Sequence, residues 1–210
     1  KKRWKGKITY MFHNPKNFYY KDDLEVIKFI KEKDNKCTFG ISFHNYLEVL
    51  DYLNNPYINI VQIPYNAIDF EKFKETLKLC KDKSKTVQVR SVLGAGLFTD
   101  KYCNILNFNF NDGIRSQWNK HNLDFNERMK KLNNVKDFLE QIYFENKIKI
   151  SLVEFMIHFI KKSNLIDSVI CGGSNNEQIK YFIEIFSTKN KNLENFFPKI
   201  DDLEKIIKSY

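Results

Sequence analysis

Glycine, proline and cysteine are all scarce in this chain, and no long hydrophobic run occurs in it. Of its 210 residues, 7 are glycine, 4 are proline and 4 are cysteine. The cysteines have neither a CxxC nor a metal-binding spacing. We therefore predict no metal site, and we expect a reduced, cytoplasmic protein in which the cysteines serve packing. The apolar runs fall far short of the roughly 18 residues that a membrane span needs, so we expect no membrane partner.

Clustered charge of one sign is also missing. The chain has 35 basic and 26 acidic residues, for a formal net charge of +9. The basic residues are scattered over predicted helix faces and alternate with Glu and Asp, whereas a nucleic-acid footprint requires a clustered patch. We therefore expect no nucleic-acid partner. The sequence opens KKRWKGK without an initiator Met, which we interpret as a cut or an internal boundary.

The strongest periodic pattern lies between Cys37 and Gly96. Three β-rich runs, CTFGIS (37–42), INIVQIPYN (58–66) and TVQVRSVLGAG (86–96), alternate with two helical runs at 45–55 and 69–83. The helical stripes that we expect to face the core are Leu47, Leu50 and Leu53 in the first run, and Phe70, Phe73, Leu77 and Cys80 in the second. Strands that alternate with helices of this length predict βαβ units and a parallel sheet, whose chemistry lies at the carboxyl ends of the strands.

The same alternation continues on both sides of this stretch. KITYMFHNP (7–15) predicts a strand, and the following helix at 21–33 would face the core through Leu24, Ile27, Phe29 and Ile30. SLVEFMIHFIKK (151–162) predicts a helix that starts with a Ser151–Glu154 capping box and leaves His158 exposed. A strand at 167–171, a helix at 176–186 and a last helix from Leu203 complete the pattern. No Ser/Gly-rich linker interrupts it before Asp100, so we predict a single domain over 1–210.

Residues 100–149 break the rhythm. The segment begins with an aromatic and Asn-rich stretch, includes an NDG turn at 111–113, and ends with a helical stripe over 135–143. We interpret it as a loop-plus-helix insertion. A role in shaping a substrate pocket and a role in ordinary packing both remain open.

Three phrases in order, GIS (40–42), VQIPYN (61–66) and VRSVLGAGL (89–97), resemble the aldo/keto reductase family. Members of that family are (β/α)8 barrels that use a nicotinamide cofactor. The wording is most similar to a bacterial branch associated with cell-surface polysaccharide pathways. The resemblance runs from the family's fourth strand onward and implies an α/β fold of the parallel TIM-barrel type, represented by five C-terminal βα units of the eight. Barrels of this type usually need about 250 residues.

The resemblance implies a site at the first four strand ends. His13 matches the active-site histidine that hydrogen-bonds the substrate carbonyl, although a strand-end histidine that caps a turn is the alternative. Ser42 and Gln62 match residues that bind the nicotinamide carboxamide, and Arg90 takes the place of an aromatic residue that stacks on the nicotinamide. The matches to the pyrophosphate-side loop are Ser91, Leu93 and Gly94.

The last strand and helix would complete the cofactor site. Gly172, Gly173 and Ser174 follow the strand and precede a helix N-terminus, where backbone N–H groups attract anions. Gln178 matches a position where NADP-dependent members commonly carry Arg for the 2′-phosphate, and Phe182 replaces an Asn that contacts adenine. The resemblance thus implies NADP or NAD as the cofactor. We predict that all these strand ends converge on one pocket.

The family's catalytic tyrosine, lysine and aspartate have no matching position in this sequence. Three interpretations therefore stay open. The chain is part of an NAD(P)-dependent aldo/keto reductase that acts on a small carbonyl or sugar substrate, or it is a degenerate, non-catalytic module that binds or scaffolds. The third is an unrelated α/β domain or a basic surface binder. Because five strands cannot close an eight-stranded barrel, we expect the N-terminal remainder of the barrel or another copy to cover the edges at 7–12 and 169–171.

Overall fold

The computed structural model describes residues 6–17, 20–99, 115, 123–187 and 205–207. The strands are β1 (Thr9–Phe12), β2 (Thr38–Ser42), β3 (Ile60–Pro64), β4 (Thr86–Arg90) and β5 (Ser168–Val169). The helices are α1 (Tyr20–Lys33), α2 (Tyr46–Leu50), α3 (Lys74–Asp82), α4 (Leu123–Asn146), α5 (Leu152–Lys162) and α6 (Asn176–Ser187). Short 3-10 helices lie at Pro15–Asn17, Phe70–Phe73 and Gly94–Gly96.

The five strands form one parallel sheet in the order β1-β2-β3-β4-β5. This confirms the predicted parallel sheet, in which neighbours in sequence are neighbours in space. β1 and β5 are the two ends of the sheet, and the prediction that another segment or copy covers them stays a prediction. Among the helices of the described residues, none combines the length and apolar character that a membrane span requires.

The described residues divide into two compact units. Unit 1 consists of the described parts of Lys1–Tyr65, Glu71–Arg90 and Leu165–Ile170, and it holds the whole sheet with α1, α2 and α3. Unit 2 consists of the described parts of Asn66–Phe70, Ser91–Asn164 and Cys171–Tyr210, and it holds α4, α5 and α6.

The core of unit 1 follows from the two-residue period of its strands. Alternate residues of β2, β3 and β4 point to one face of the sheet. On that face Ile41, Val61, Ile63, Val87 and Val89 are fully buried. The predicted stripe of α3 and its leading turn is confirmed, since Phe73, Leu77 and Cys80 are buried in this unit and Phe70 is buried in unit 2. The opposite face of the same strands carries the polar residues described below.

Four predicted orientations are wrong. Leu47 and Leu50 are 59% and 41% exposed because α2 has only five residues, and Val49 is buried instead, whereas the predicted burial of Leu53 is confirmed. Phe29 is 60% exposed, with the Lys33 ammonium 5.6 Å from its ring centroid. His158 is only 5% exposed rather than solvent-facing, because α5 is apolar and buried almost all round.

Unit 2 is built on α4 and α5. The predicted capping box at α5 is confirmed, since the Glu154 N–H donates to Ser151 Oγ and the Ser151 N–H donates to the Glu154 carboxylate. In α4, Val135, Leu139 and Ile142 are buried, whereas Tyr143 is 52% exposed. Of the predicted insertion and last helix, residues 100–114, 116–122, 203–204 and 208–210 lie outside the described residues.

Asp167 fastens β5 to β4. Its carboxylate accepts hydrogen bonds from the Val87 N–H at 2.7 Å and from Lys81 Nζ at 2.6 Å, while its own N–H donates to the Val87 carbonyl at 2.9 Å. Burial raises the pKa of this carboxyl group, but the bonds from Lys81 and Val87 outweigh that effect, so the pKa lies below its ordinary value. The ionised form of Asp167 therefore stabilises the folded sheet.

We expect Gly40→Ala to destabilise the protein by about 1–3 kcal/mol, the usual range for overpacking. A Cβ at Gly40 would lie 2.6 Å from Met11 Sδ, 2.7 Å from Ile60 Cβ and 2.8 Å from the Ile60 carbonyl oxygen. Gly172→Ala is the matched control, because a Cβ there meets nothing within 4 Å. Urea unfolding measures both variants, and equal free energies of unfolding would contradict the described packing of β1, β2 and β3.

We expect the acid sensitivity of folding to depend on Asp167. Because its folded-state pKa lies below the unfolded value of about 3.9, its contribution is complete above that pH and is lost as the pH falls through the folded pKa. Asp167→Asn should therefore lose less stability than the parent chain on acidification below about pH 4. Thermal unfolding at a series of pH values tests this, with Asp82→Asn as the control, and parallel curves for parent and Asp167→Asn would refute it.

Candidate functional site

Four polar residues lie side by side across the polar face of the sheet. The register pairs Ser42 with Gln62, Gln62 with Gln88, and Gln88 with Ser168. The Ser42 hydroxyl donates to Gln62 Oε1 at 2.6 Å, Gln62 Nε2 donates to Gln88 Oε1 at 2.7 Å, and Gln88 Nε2 donates to Ser168 Oγ at 3.3 Å. We call Ser42, Gln62, Gln88 and Ser168 the polar row. It crosses four strands and reaches the carboxyl end of β2 at Ser42.

Arg90 joins the polar row at Ser42. Its Nε donates to Ser42 Oγ at 3.2 Å, and its Nη2 donates to the Phe43 carbonyl at 3.0 Å and lies 3.5 Å from His44 Nδ1. Burial lowers the pKa of the Arg90 guanidinium from its ordinary value. A guanidinium nevertheless stays protonated in proteins, so the arrangement holds a fixed positive charge at the carboxyl end of β4.

His13 lies at the same end of unit 1. It directly follows β1 and is exposed, and its ring centroid is 6.4 Å from that of His44 in an edge-to-face arrangement. His44 in turn contacts Arg90. The structure therefore brings His13, Ser42, Gln62 and Arg90 to one edge of the sheet. Their roles toward a cofactor or substrate stay predictions.

Sequence reasoning missed Gln88, Ser168 and His44. A signal for Gln88 was present, because Gln62 and Gln88 both stand two residues before the end of their strands, at Pro64 and Arg90. When neighbouring parallel strands are paired in register, residues at the same distance from the strand ends lie next to each other. Ser168 and His44 follow no such repeat in the sequence.

The predicted pyrophosphate-side loop lies in unit 2, and packing explains much of it. Leu93 packs against the cluster of Val153, Ile157, Phe182 and Ile185. Gly94 has a φ of 53°, and a Cβ there would lie 2.6 Å from the Phe98 ring. Ser91 is exposed with a φ of 56°, and its carbonyl accepts the Gly94 N–H at 2.9 Å. Local folding therefore accounts for Leu93 and Gly94 without any ligand.

The turn before α6 is partly closed by its own side chains. The Ser174 N–H donates to Gln178 Oε1 at 2.8 Å, and the Gln178 N–H donates to Asn175 Oδ1 at 2.9 Å. Gln178 thus caps the turn. Gly172 is exposed, and neither its φ nor a contact of a Cβ requires glycine there. Convergence of this turn with the polar row on one pocket stays a prediction.

The residues present fit one end of a nicotinamide cofactor better than the other. Ser42 and Gln62 form a hydroxyl–amide pair that can exchange hydrogen bonds with a carboxamide, which has both a donor and an acceptor. Gln178 is neutral and engaged in its turn, and Phe182 is buried in an apolar cluster. Among the described residues, no group of three or more His, Cys, Asp and Glu could hold a metal ion.

We expect Ser42→Ala to destabilise the protein by about 1–3 kcal/mol, the range for a buried polar group that loses its partner. Ser42 is 7% exposed, and its removal takes one acceptor away from Arg90 Nε and a donor away from Gln62 Oε1. Ser168→Ala is the control, because it removes only the 3.3 Å bond at the end of the polar row. Chemical denaturation compares them, and an equal effect of both changes would argue against the central place of Ser42.

No curated protein sequence matches the chain. Among solved structures, an aldo-keto reductase from Bacillus halodurans in its holo form matches with a TM-score of 0.64 and 16% identity, over 96% of this chain and 60% of that one. A glycerol dehydrogenase from Gluconobacter oxydans matches with a TM-score of 0.63 and 17% identity, over 97% and 60%. These likenesses show the fold, a part of a TIM barrel with a parallel sheet, as the sequence predicted.

The chain spans about 60% of the length of these solved structures. The profile of the aldo/keto reductase family matches residues 9–205, which is nearly the whole sequence. The chain therefore belongs to the aldo/keto reductase family.

Proposed function

We propose that this chain forms the cofactor-binding part of an NAD(P)-dependent carbonyl or alcohol oxidoreductase, with β1–β5 as the fourth to eighth strands of an eight-stranded barrel. The observation that carries the proposal is the link from Arg90 through Ser42 to Gln62 at the carboxyl ends of three neighbouring strands. Chemistry in such barrels lies at this end of the strands. Family membership supports the class of reaction.

The residues of unit 1 would bind and orient the reactants. Gln62 and Ser42 would hold the nicotinamide carboxamide, and Arg90 would keep Ser42 in place through its Nε–H. The Gln62 amide is already held on both sides by Ser42 and Gln88, so little side-chain entropy remains to be lost on binding. His13, exposed at the same edge, would donate a hydrogen bond to the substrate carbonyl oxygen. The nicotinamide, when bound, supplies or accepts the hydride.

The residues expected to contact the adenosine end of the cofactor give this chain little means of distinguishing NADPH from NADH. A 2′-phosphate favours a bidentate, charge-assisted contact from Arg, which the neutral Gln178 cannot give. The Gln178 amide already accepts the Ser174 N–H, and Phe182 packs with Val153 and Ile185. We therefore propose that this chain binds NADH about as well as NADPH, and both of them weakly.

General acid catalysis is the part of the reaction for which this chain offers no matching residue. Reduction of a carbonyl leaves an alkoxide, and a positioned proton donor contributes on the order of 10²–10⁴-fold to such a step. The family's tyrosine, lysine and aspartate have no counterpart in this sequence. We therefore propose that these residues alone do not reduce simple aldehydes, and that a D-x-A-x-x-Y phrase upstream of Lys1 would complete the site.

A non-catalytic module is the second candidate. It is favoured by Gln178 and Phe182, which serve the turn and the apolar cluster of unit 2. Such a module would bind or scaffold within a larger polypeptide. A sugar substrate, the polysaccharide-associated branch and a cytoplasmic location rest on the sequence alone and stay predictions.

Calorimetric titration with NADH and NADPH tests the proposal. We expect weak binding of both, with dissociation constants within about tenfold of each other. A charged contact to the 2′-phosphate would favour NADPH by about 1.5–3 kcal/mol, which is more than tenfold, and Gln178 cannot provide that contact. Arg90→Ala should abolish the heat of binding, because it releases Ser42 and removes the positive charge. Lys78→Ala is the control, since Lys78 is an exposed partner of Glu75 on α3.

Two results would overturn the proposal. The first is a strong preference for NADPH, which would require a cation for the 2′-phosphate. The second is binding that is indifferent to Arg90→Ala while Lys78→Ala leaves it unchanged, which would place the cofactor away from the polar row.

A further inference from the structure

The other end of the sheet in unit 1 carries a cavity of about 610 Å³. Apart from Lys31 in α1, it is lined by residues that come just before or at the start of β1, β2, β3 and β4, the opposite end from Arg90. The size lies within the range of about 300–1,000 Å³ that is usual for small-molecule sites. Neither the family resemblance nor the proposed function assigns any role to this end.

Three lysines line this cavity, Lys7, Lys31 and Lys36. No Asp or Glu occurs among the described residues that line it. Within the described part of the chain, none of the three lysines forms an ion pair with a carboxylate. Asp34, the acidic residue nearest in sequence to Lys36, accepts the Lys36 backbone N–H at 3.0 Å through Oδ1. The lining therefore contains three cationic side chains and no carboxylate, and the Asp34 carboxylate lies beside it, bonded to the Lys36 N–H and the Cys37 thiol.

The helix dipole explains one of these lysines but not the other two. Lys31 lies in the last turn of α1, where a cation is favoured by the negative end of the dipole. Its ammonium group is 5.9 Å from the Tyr57 ring centroid. Lys7 and Lys36 lie outside every helix and are exposed. The helix dipole therefore accounts for Lys31 but not for Lys7 and Lys36.

Neutral hydrogen-bonding groups complete the lining. The hydroxyl groups of Thr9 and Thr38 are 2.9 Å apart. Thr38 lines the cavity and Thr9 does not. Because either hydroxyl can be the donor, Thr38 can accept the proton of Thr9 and donate its own to a ligand. Asn59 and Thr86 add an amide and a hydroxyl. Such groups suit the several acceptor oxygens of a phosphate.

Ser84 is a strained residue in the same lining. It follows the C-terminus of α3, with the Ser84 N–H donating to the Lys81 carbonyl and the Lys85 N–H donating to the Cys80 carbonyl. This is the Schellman arrangement, in which the left-handed position usually belongs to Gly. Ser84 adopts it with a φ of 54° and lines the cavity. The chain therefore has a serine side chain at a position where glycine would be less strained.

From this cavity, its three lysines without a carboxylate partner among the described residues, and the strained Ser84, we propose a second binding site, for a small molecule that carries two or more phosphate groups. Lysine binds phosphate as a compact point charge, whereas a planar carboxylate is better matched by the fork of Arg. Several lysines around one cavity favour a ligand with several phosphates over one with a single phosphate. The site is independent of the nicotinamide site, because it lies at the amino ends of the strands.

Calorimetric titration of the 210-residue chain with inorganic tripolyphosphate, and with inorganic phosphate for comparison, tests the proposal. Tripolyphosphate should bind more tightly than phosphate. The double variant Lys7→Gln/Lys36→Gln should bind it at least about tenfold more weakly, since charge-assisted hydrogen bonds are roughly twice as strong as neutral ones. Lys78→Gln/Lys130→Gln removes the same charge away from the cavity lining and should leave the affinity within about twofold.

Two further variants distinguish binding in this cavity from binding elsewhere on the protein. Ser84→Gly should bind more weakly while remaining at least as stable as the parent chain, which a purely structural serine would not show. Arg90→Ala should leave tripolyphosphate binding unchanged. If the two double lysine variants weaken tripolyphosphate binding equally, the effect is due to the net charge of the protein and not to this cavity, and the proposal is overturned. Loss of binding in Arg90→Ala would place the anion at the other end of the sheet and overturn it as well.

Discussion

The in-register pairing of four parallel strands is the constraint on which both ends of unit 1 depend. Because Ser42, Gln62, Gln88 and Ser168 are paired across β2 to β5, each polar side chain has its neighbour's polar side chain within reach. A shift of one residue in any of these strands would turn its polar residue to the apolar face. The apolar face, with Val61, Ile63, Val87 and Val89 fully buried, therefore fixes the register that the polar face uses.

The polar row is satisfied without a ligand, which limits what it can add to binding. A carboxamide that bonds Gln62 or Ser42 exchanges one hydrogen bond for another, and the net gain of such an exchange is about 0.5–1.5 kcal/mol or less. The value of the row therefore lies in orientation. Arg90 differs, because it brings a charge that polar neighbours only partly screen.

The sequence predicted the elements of this fold better than their contacts. Five strands with clean alternation, and the stripe of Phe73, Leu77 and Cys80, were readable because burial in a sheet or a helix has a fixed period. Leu47 and His158 were misplaced because period alone does not say how long α2 is or that α5 is buried on all sides. The partners of Gln62 and Arg90 needed the register, which no single strand contains.

Family motifs and packing requirements overlap in unit 2, so the motifs discriminate poorly between an enzyme and a degenerate module. Gly94 is required by the Phe98 ring, Leu93 by an apolar cluster, and Gln178 by the turn before α6. Each would be retained whether or not a cofactor binds, because its loss would disturb the fold.

Residues without such a requirement are more informative. A Cβ at Gly172 would have open space around it, and the φ of Gly172 is not positive. His13 is exposed, and among the described pairs of aromatic rings its one contact is with His44. Folding does not explain why glycine and histidine stand at these positions. If a ligand accounts for them, substitution there would change binding and leave stability unaltered, whereas substitution of Gly94 or Ser42 changes both. The separation of stability from binding, residue by residue, is therefore what distinguishes a working site from a fold that has kept its motifs.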